Sequence, residues 1–295
     1  MAKKITKALI PAAGFGTRFL PQTKAMPKEM MPLVDKPIIQ RVVEELVEAG
    51  IETIVIVTGW NKRSIEDHFD NNSELEQKLL ATGKNAELET VQNVSNMAEF
   101  VYLRQKGVIG NATPILNARH ILGDDPFMLF WGDDFVDATP SRAQQLMAAY
   151  EKYQTPIMGG IKATKESDYK KYGFAGGEEV EPGVIRVNRI IEKPGSPENA
   201  PSDLATVSGC VLTADIYEPL LEAQAHLEDG EELHYIMGLE RLLDQGVHVV
   251  ELQNAVYRDT GNKFEYLKTI TEYGLSHPEF GAEYQQYLQN LMNKE

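Results

Sequence analysis

The stretch ALIPAAGFGTRFLPQTKAMPKEMMPLVDKPII, residues 8–39, runs from an apolar segment into glycines and then into a proline-stiffened loop. Ile5 to Ala12 reads as a buried strand feeding that loop. Downstream, Ile38, Ile39, Val42, Val43, Leu46 and Val47 recur at the spacing of one helical face. Pro37 suits the first turn of this helix and Gly50 its end. The uninterrupted Ile54-Val55-Ile56-Val57 of ETIVIVTG then marks a strand covered on both faces, as in a parallel sheet. The unit is strand, helix, strand, and the fold class it implies is α/β.

The alternation continues along the chain. Helices are expected near 62–69, 73–81, 112–122 and 140–153, with strands at EFVYLRQ (99–105), FMLFWGDD (127–134) and PIMGGIKA (156–163). This order predicts a Rossmann-like, doubly wound, mostly parallel sheet whose ligands bind beyond the carboxyl ends of its strands. From about 172 to 213 the texture changes to YGFAGG, VIRVNRIIEKP and ATVSGCVLT, which reads as inserted antiparallel strands. Helices return at 214–224, 231–245, 262–274 and 280–293. With no long linker in the way, residues 1–295 are expected to form a single domain ending in a helix at about 278–295.

Composition narrows the function. The chain carries 44 acidic against 29 basic residues, a net charge of −15, which disfavours nucleic acid and anionic membrane surfaces as partners. No run of 18 apolar residues occurs and MAKKITKALIPAAG lacks a cleavage site, so a cytoplasmic address without membrane span or signal peptide is expected. The one cysteine, Cys210, reads as a core thiol. Any polyanionic small molecule must therefore meet locally gathered lysines and arginines.

Such a cluster stands in the opening stretch. Gly14-Phe15-Gly16-Thr17-Arg18 lets backbone N–H groups approach an anion, and Arg18 can clamp phosphate oxygens with two parallel hydrogen bonds. The third glycine of a dinucleotide fingerprint and the GK[ST] of a P-loop are both missing, and a plain glycine turn with a surface arginine is the competing reading. Lys24 and Lys28 follow between Pro21, Pro27 and Pro32, which hold them near the arginine. Asp133, near the end of FMLFWGDD, is placed to bind Mg²⁺, which takes one or two carboxylates plus phosphate oxygens, or else to cap the next turn. Asp259 in RDTGNKFEY is a second carboxylate for the same ion or a helix N-cap. Glu192 and Lys193 of IIEKPG offer a carboxylate for sugar hydroxyls and a cation for a phosphate, or a surface ion pair. The six histidines show no ligand spacing.

Taken in order, AAGFGTRFLPQTKAMPKEMMPLVDKP, NKRSIEDHFD, VYLRQK, GDD, YGFA, EKP and DTGNKFEY strongly resemble bacterial UTP:glucose-1-phosphate uridylyltransferases of the sugar-nucleotidyltransferase superfamily, from about residue 5 to 280. The resemblance implies a Rossmann-like α/β domain, commonly dimeric or tetrameric, that joins UTP to glucose 1-phosphate with Mg²⁺, giving UDP-glucose and pyrophosphate. It implies that Gly14, Gly16, Thr17 and Arg18 hold the triphosphate, that Ala12 and Ala13 contact the nucleotide, and that Lys28 contacts the phosphates near the breaking bond. It further implies that Gln105 and the backbone at Gly110 read uracil, that Gly173 lies beneath the sugar, and that Glu192 and Lys193 meet its hydroxyls and its phosphate. Asp133 and Asp259 would hold the metal. No acid or base is needed, because the sugar phosphate is already an anionic nucleophile that must only be aligned and neutralised.

Three stretches depart from that pattern. GNATP (110–114) stands where relatives carry GLGHA, Ser208-Gly209-Cys210 where they carry Gly-Arg-Tyr, and ELHYIM (232–237) where they read E-I-Q-[LI]-T-D, with His234 replacing the glutamine. All three fall on the base and sugar side. The same reaction with another nucleoside triphosphate such as dTTP, or with another hexose 1-phosphate, is therefore the alternative, followed by a non-catalytic regulatory paralogue that binds sugar nucleotide.

Overall fold

The computed structural model describes residues 3–293. The opening apolar run forms β1 (Lys7–Ala12); after the glycine loop come a short ribbon, β2 (Pro32–Leu33) and β3 (Lys36–Pro37), and then α1 (Ile38–Glu48). There follow β4 (Thr53–Thr58), α2 (Arg63–Phe69), α3 (Ser73–Ala81), α4 (Asn85–Ser95), β5 (Glu99–Arg104), α5 (Thr113–Leu122), β6 (Phe127–Leu129) and β7 (Phe135–Asp137). Next are α6 (Arg142–Tyr153), β8 (Ile157–Lys162), β9 (Gly173–Glu181), β10 (Val184–Glu192) and β11 (Leu204–Leu212). The chain ends through α7 (Tyr217–Ala225), α8 (Tyr235–Glu240), β12 (His248–Glu251), β13 (Val256–Arg258), α9 (Lys263–Leu275) and α10 (Gly281–Met292).

Nine strands make one sheet in the order β5-β4-β1-β6-β11-β8-β12-β10-β9. The half that includes β5, β4, β1 and β6 is parallel, and β12 runs parallel to β8. The inserted strands β9, β10 and β11 are antiparallel to their neighbours, and β11 is woven into the middle of the sheet between β6 and β8. Alternating residues of β1 and β4 feed two cores. Ile10 and Ile56 pack with Ile39 and Val42 of α1 on one face, while Leu9, Val55 and Val57 pack with Ile115 of α5 on the other. Burial on both faces is what the unbroken Ile-Val run predicts.

Several elements differ from the sequence reading. α4 was not foreseen, and neither α3 nor α4 buries a residue, so no apolar stripe marks the pair. The helix expected at 231–245 is reduced to α8, because Leu233 is drawn into backbone hydrogen bonds with the 109–112 loop. β12 and β13 are too short to carry a period. Residues 1, 2, 294 and 295, the ends of the expected domain and C-terminal helix, lie outside the described residues. Among the described residues no helix is long and apolar enough to cross a membrane.

Candidate functional site

The carboxyl end of β1 opens into the glycine loop. Gly16 takes a left-handed conformation (φ 65°), and its carbonyl accepts the Phe19 N–H (3.0 Å) and the Thr23 hydroxyl (2.7 Å). A Cβ at 16 would stand 3.2–3.3 Å from Thr23 and Lys28, so the loop closes tightly over the proline-rich segment. Lys28 comes up beneath Gly14 and pairs with Asp133 Oδ2 at 2.6 Å. Burial works against its ammonium, but the carboxylates of Asp133 and Glu29 outweigh that and hold the pKa above the usual lysine value. Glu29 is buried against Lys62 (2.7 Å), and burial pushes its carboxyl up. Lys24 is exposed and takes no part in these ion pairs: with Phe15, Trp60 and Lys62 it borders a second hollow.

The two expected metal ligands are brought together. Asp133 is buried at the end of β6, and its carbonyl accepts the Thr260 hydroxyl, which fastens the Asp259-Thr260-Gly261 turn to the GDD turn. Burial pushes the Asp259 carboxyl up against the pull of Arg18, and the neighbouring Asp133 adds to the rise. Arg18 lies against Gly261, where a Cβ would be 2.9 Å from its Nη2. Two carboxylates that repel each other, beside a glycine loop, fit a hard divalent cation, which ordinarily completes its shell with phosphate oxygens or water.

A cleft of about 670 Å³ opens beside them, and Arg18, Gly173, Glu192 and Lys193 all line it. Gly173 leaves room there for two side chains: a Cβ would be 2.7 Å from Glu192 Oε2 and 3.0 Å from Thr206 Oγ1. Lys193 turns out of β10 in a left-handed conformation (φ 49°), with its N–H on the Tyr172 carbonyl (3.1 Å) and its ammonium 3.5 Å from Glu192. Neighbours that would alternate on a strand are thereby turned into one cleft. Lys171, Asp134, Ser208 and Tyr235 are also among its lining; none was singled out for a role from sequence.

Gln105 and Gly110 stand outside this cleft. The Gln105 N–H continues the ladder to the Thr58 carbonyl (2.9 Å), and Ala13, beside it in the next loop, is covered by Gly59, whose Cβ would be 2.8 Å from the Ala13 carbonyl. Ala12 is buried at the end of β1, while Thr17 and Arg18 remain exposed. Gly110 (φ 144°) abuts Leu233, whose carbonyl would lie 2.1 Å from a Cβ at 110. Leu233 N–H donates to Ile109 (2.8 Å), Ala112 N–H donates back to Leu233 (3.0 Å), and Tyr235 N–H reaches Asn111 Oδ1 (2.8 Å). Two of the three departing stretches, GNATP and ELHYIM, therefore pack on one another.

Residues 7–274 match the family model described as nucleotidyl transferase. The chain belongs to the nucleotidyl transferase family. It is 41% identical over 296 residues to the UTP–glucose-1-phosphate uridylyltransferase YngB of Bacillus subtilis, covering all of this chain and 98% of that protein. The UTP-bound UGPase from Acinetobacter baumannii superposes with a TM-score of 0.87 at 33% identity, covering 98% of this chain and 100% of the other. A UDP-glucose pyrophosphorylase complexed with UDP-glucose gives a TM-score of 0.81 at 35% identity, covering 93% and 100%.

In this nucleotidyl transferase the remaining unforeseen feature is a buried arginine. Arg142 of α6 sits behind the cleft wall, and the third departing stretch, Ser208-Gly209-Cys210, packs on it. No local signal could have found it, since its partners are 66 and 97 residues away. Cys210 is a core thiol, and burial pushes its pKa up.

Proposed function

We propose that this nucleotidyl transferase moves the uridylyl group of UTP to glucose 1-phosphate, releasing pyrophosphate and forming UDP-glucose. The observation that carries the reading is that Arg18 of the glycine loop lines the same cleft as Gly173, Glu192 and Lys193, so triphosphate and sugar phosphate meet at one guanidinium. In this reading Gly14, Gly16, Thr17 and Arg18 hold the triphosphate, Ala12, Ala13, Gln105 and Gly110 serve the base, and Gly173 and Glu192 serve the sugar. Lys193 meets the sugar phosphate, and Lys28 the phosphates of the breaking bond. Asp133 and Asp259 would hold Mg²⁺, which when bound supplies charge neutralisation of the phosphates. The protein's own cations orient the anionic nucleophile opposite the leaving pyrophosphate. A single cytoplasmic domain assembling as a homodimer or homotetramer completes the proposal.

A second reading keeps the reaction and changes the acceptor or the base. Ser208 and His234, both in departing stretches, line the cleft. Pyrophosphate release with Mg²⁺, measured for UTP, dTTP, ATP, CTP and GTP against glucose 1-phosphate and other hexose 1-phosphates, tests both. Preference for UTP with glucose 1-phosphate supports the first reading, and preference for another pair supports the second. No release with any pair overturns both.

A further inference from the structure

Arg142 has no exposed surface, and its guanidinium is forked onto Glu45 of α1 through Nε (3.2 Å) and Nη2 (2.9 Å). Glu45 also accepts the Ala143 N–H (3.0 Å), so both carboxylate oxygens are engaged. The remaining nitrogen, Nη1, donates to the carbonyl (2.9 Å) and the hydroxyl (3.2 Å) of Ser208 and stands 3.7 Å from Asp134 Oδ1. Below, the guanidinium covers the Phe130 ring at 4.1 Å. The strand is shaped to receive it. The register of β11 on β8 shifts between Thr206 and Cys210, Gly209 is left-handed (φ 101°), and a Cβ there would be 2.9 Å from Arg142 Cδ. Ser208 and Asp134 both face the cleft that holds Glu192.

A buried ion pair of this kind is poor value as a stabiliser, because well-packed apolar side chains of similar volume usually serve as well. What a guanidinium adds is direction: a planar fork fixed on one side dictates where its other donors point. Ser208 Oγ accepts from Arg142 and from the Trp131 N–H (3.4 Å), which leaves its own proton for Asp134 or for a ligand hydroxyl.

We propose that Arg142 is a positioning residue for acceptor recognition: anchored by Glu45, it holds Ser208 and Asp134 as the wall that meets the hydroxyls of the hexose 1-phosphate. This rests on the functional reading above. The test compares wild type, Arg142→Lys and Ser208→Ala by calorimetric affinity for UDP-glucose and for UDP, and by KM for glucose 1-phosphate and for UTP. In Arg142→Lys the sugar's contribution to affinity and the KM for glucose 1-phosphate worsen by roughly tenfold, and in Ser208→Ala by about threefold. UDP affinity and the KM for UTP stay within about twofold in both. A purely structural role lowers Tm and leaves the UDP-glucose to UDP ratio unchanged, which overturns the proposal. Should Arg142→Lys fail to fold, Ser208→Ala decides alone, since it removes only a hydroxyl: a reduced ratio supports the proposal and an unchanged one overturns it. Wild type that neither binds UDP-glucose nor releases pyrophosphate overturns the functional reading, and this proposal with it.

Discussion

Lys28 Nζ and Asp133 Oδ2 lie 2.6 Å apart beneath the glycine loop, pairing the cation proposed for the phosphates with a carboxylate proposed for Mg²⁺. Each neutralises the other in the free protein, so neither is left as an unpaired buried charge before substrate arrives. In the proposed reaction, binding of a charged substrate would exchange these partners rather than desolvate new ones. Lys28→Ala and Asp133→Asn should each lower turnover by on the order of 10² at saturating substrate, the scale of removing one preorganised electrostatic group. A variant that keeps more than half the wild-type turnover takes its residue out of the mechanism.

Lys193 carries a comparable expectation on the acceptor side. Its left-handed backbone costs on the order of 1 kcal/mol for a non-glycine residue, and strain of this kind tends to be retained where it aims a side chain. Lys193→Ala should reduce turnover by on the order of 10², whereas Lys193→Gly, which relieves the backbone but also removes the ammonium, should reduce it as much. Rescue of turnover in the glycine variant would mean that the conformation, and not the charge, is what matters.

Much of this site was legible, and the reasons are local. The Ile54–Val57 run, the helical period from Ile38 to Val47 and the glycines at 14 and 16 each carry their conformation in adjacent residues. What escaped depends on partners distant in sequence. Glu45 is buried against Arg142, and Glu29 against Lys62, and none of the four carries a signal of burial in its adjacent residues. Lys24 reads like Lys28, being equally flanked by prolines, and only the tertiary path sends one beneath the loop and leaves the other exposed.

Gly173 sits where a methyl group would press on the Glu192 carboxylate at 2.7 Å. The side chain of Glu192 is exposed enough to swing away, so Gly173→Ala should fold yet present the carboxylate in the wrong place. The KM for glucose 1-phosphate should rise by roughly tenfold, worth about 1.4 kcal/mol, while the KM for UTP changes little. An unchanged sugar KM would show that Glu192 does not contact the acceptor.

His248 offers a pH test away from the site. Burial, reinforced by Arg186, holds its pKa below the ordinary histidine value, and the neutral ring stacks on Tyr153 at 4.2 Å and shares a hydrogen bond between Nδ1 and Thr155 Oγ1 (2.8 Å). The unfolded chain binds this proton more readily than the folded one. Its contribution to stability is therefore complete above the unfolded value near 6.5 and is lost as pH falls through the lower folded value. His68, also lowered by burial, adds a change of the same sign. The carboxyls of Asp134, Glu29 and Asp259, all pushed up by burial, act in the opposite sense, so the readout is the difference between proteins: from pH 7 to pH 5 the Tm of His248→Phe, which keeps the stack and removes the titration, should gain on that of the wild type. A constant difference in Tm between the two assigns the effect elsewhere.

In the proposed function, the contact between Gly110 and Leu233 ties the base side to the acceptor side. With φ at 144° and the Leu233 carbonyl 2.1 Å from any Cβ, no rotation of a side chain relieves Gly110→Ala; the 109–112 and 233–235 backbones must part. Their reciprocal hydrogen bonds and the Tyr235–Asn111 bond go with them, so the loss should reach roughly 3 kcal/mol, at the upper end for an overpacked site. Because Tyr235 and His234 line the acceptor cleft, the same substitution should weaken sugar binding as well as base binding, in contrast to Gly173→Ala. Urea unfolding gives the first quantity and the two KM values the second. Loss of stability with both KM values intact would show that the coupled loops brace the fold and leave substrate choice to other residues.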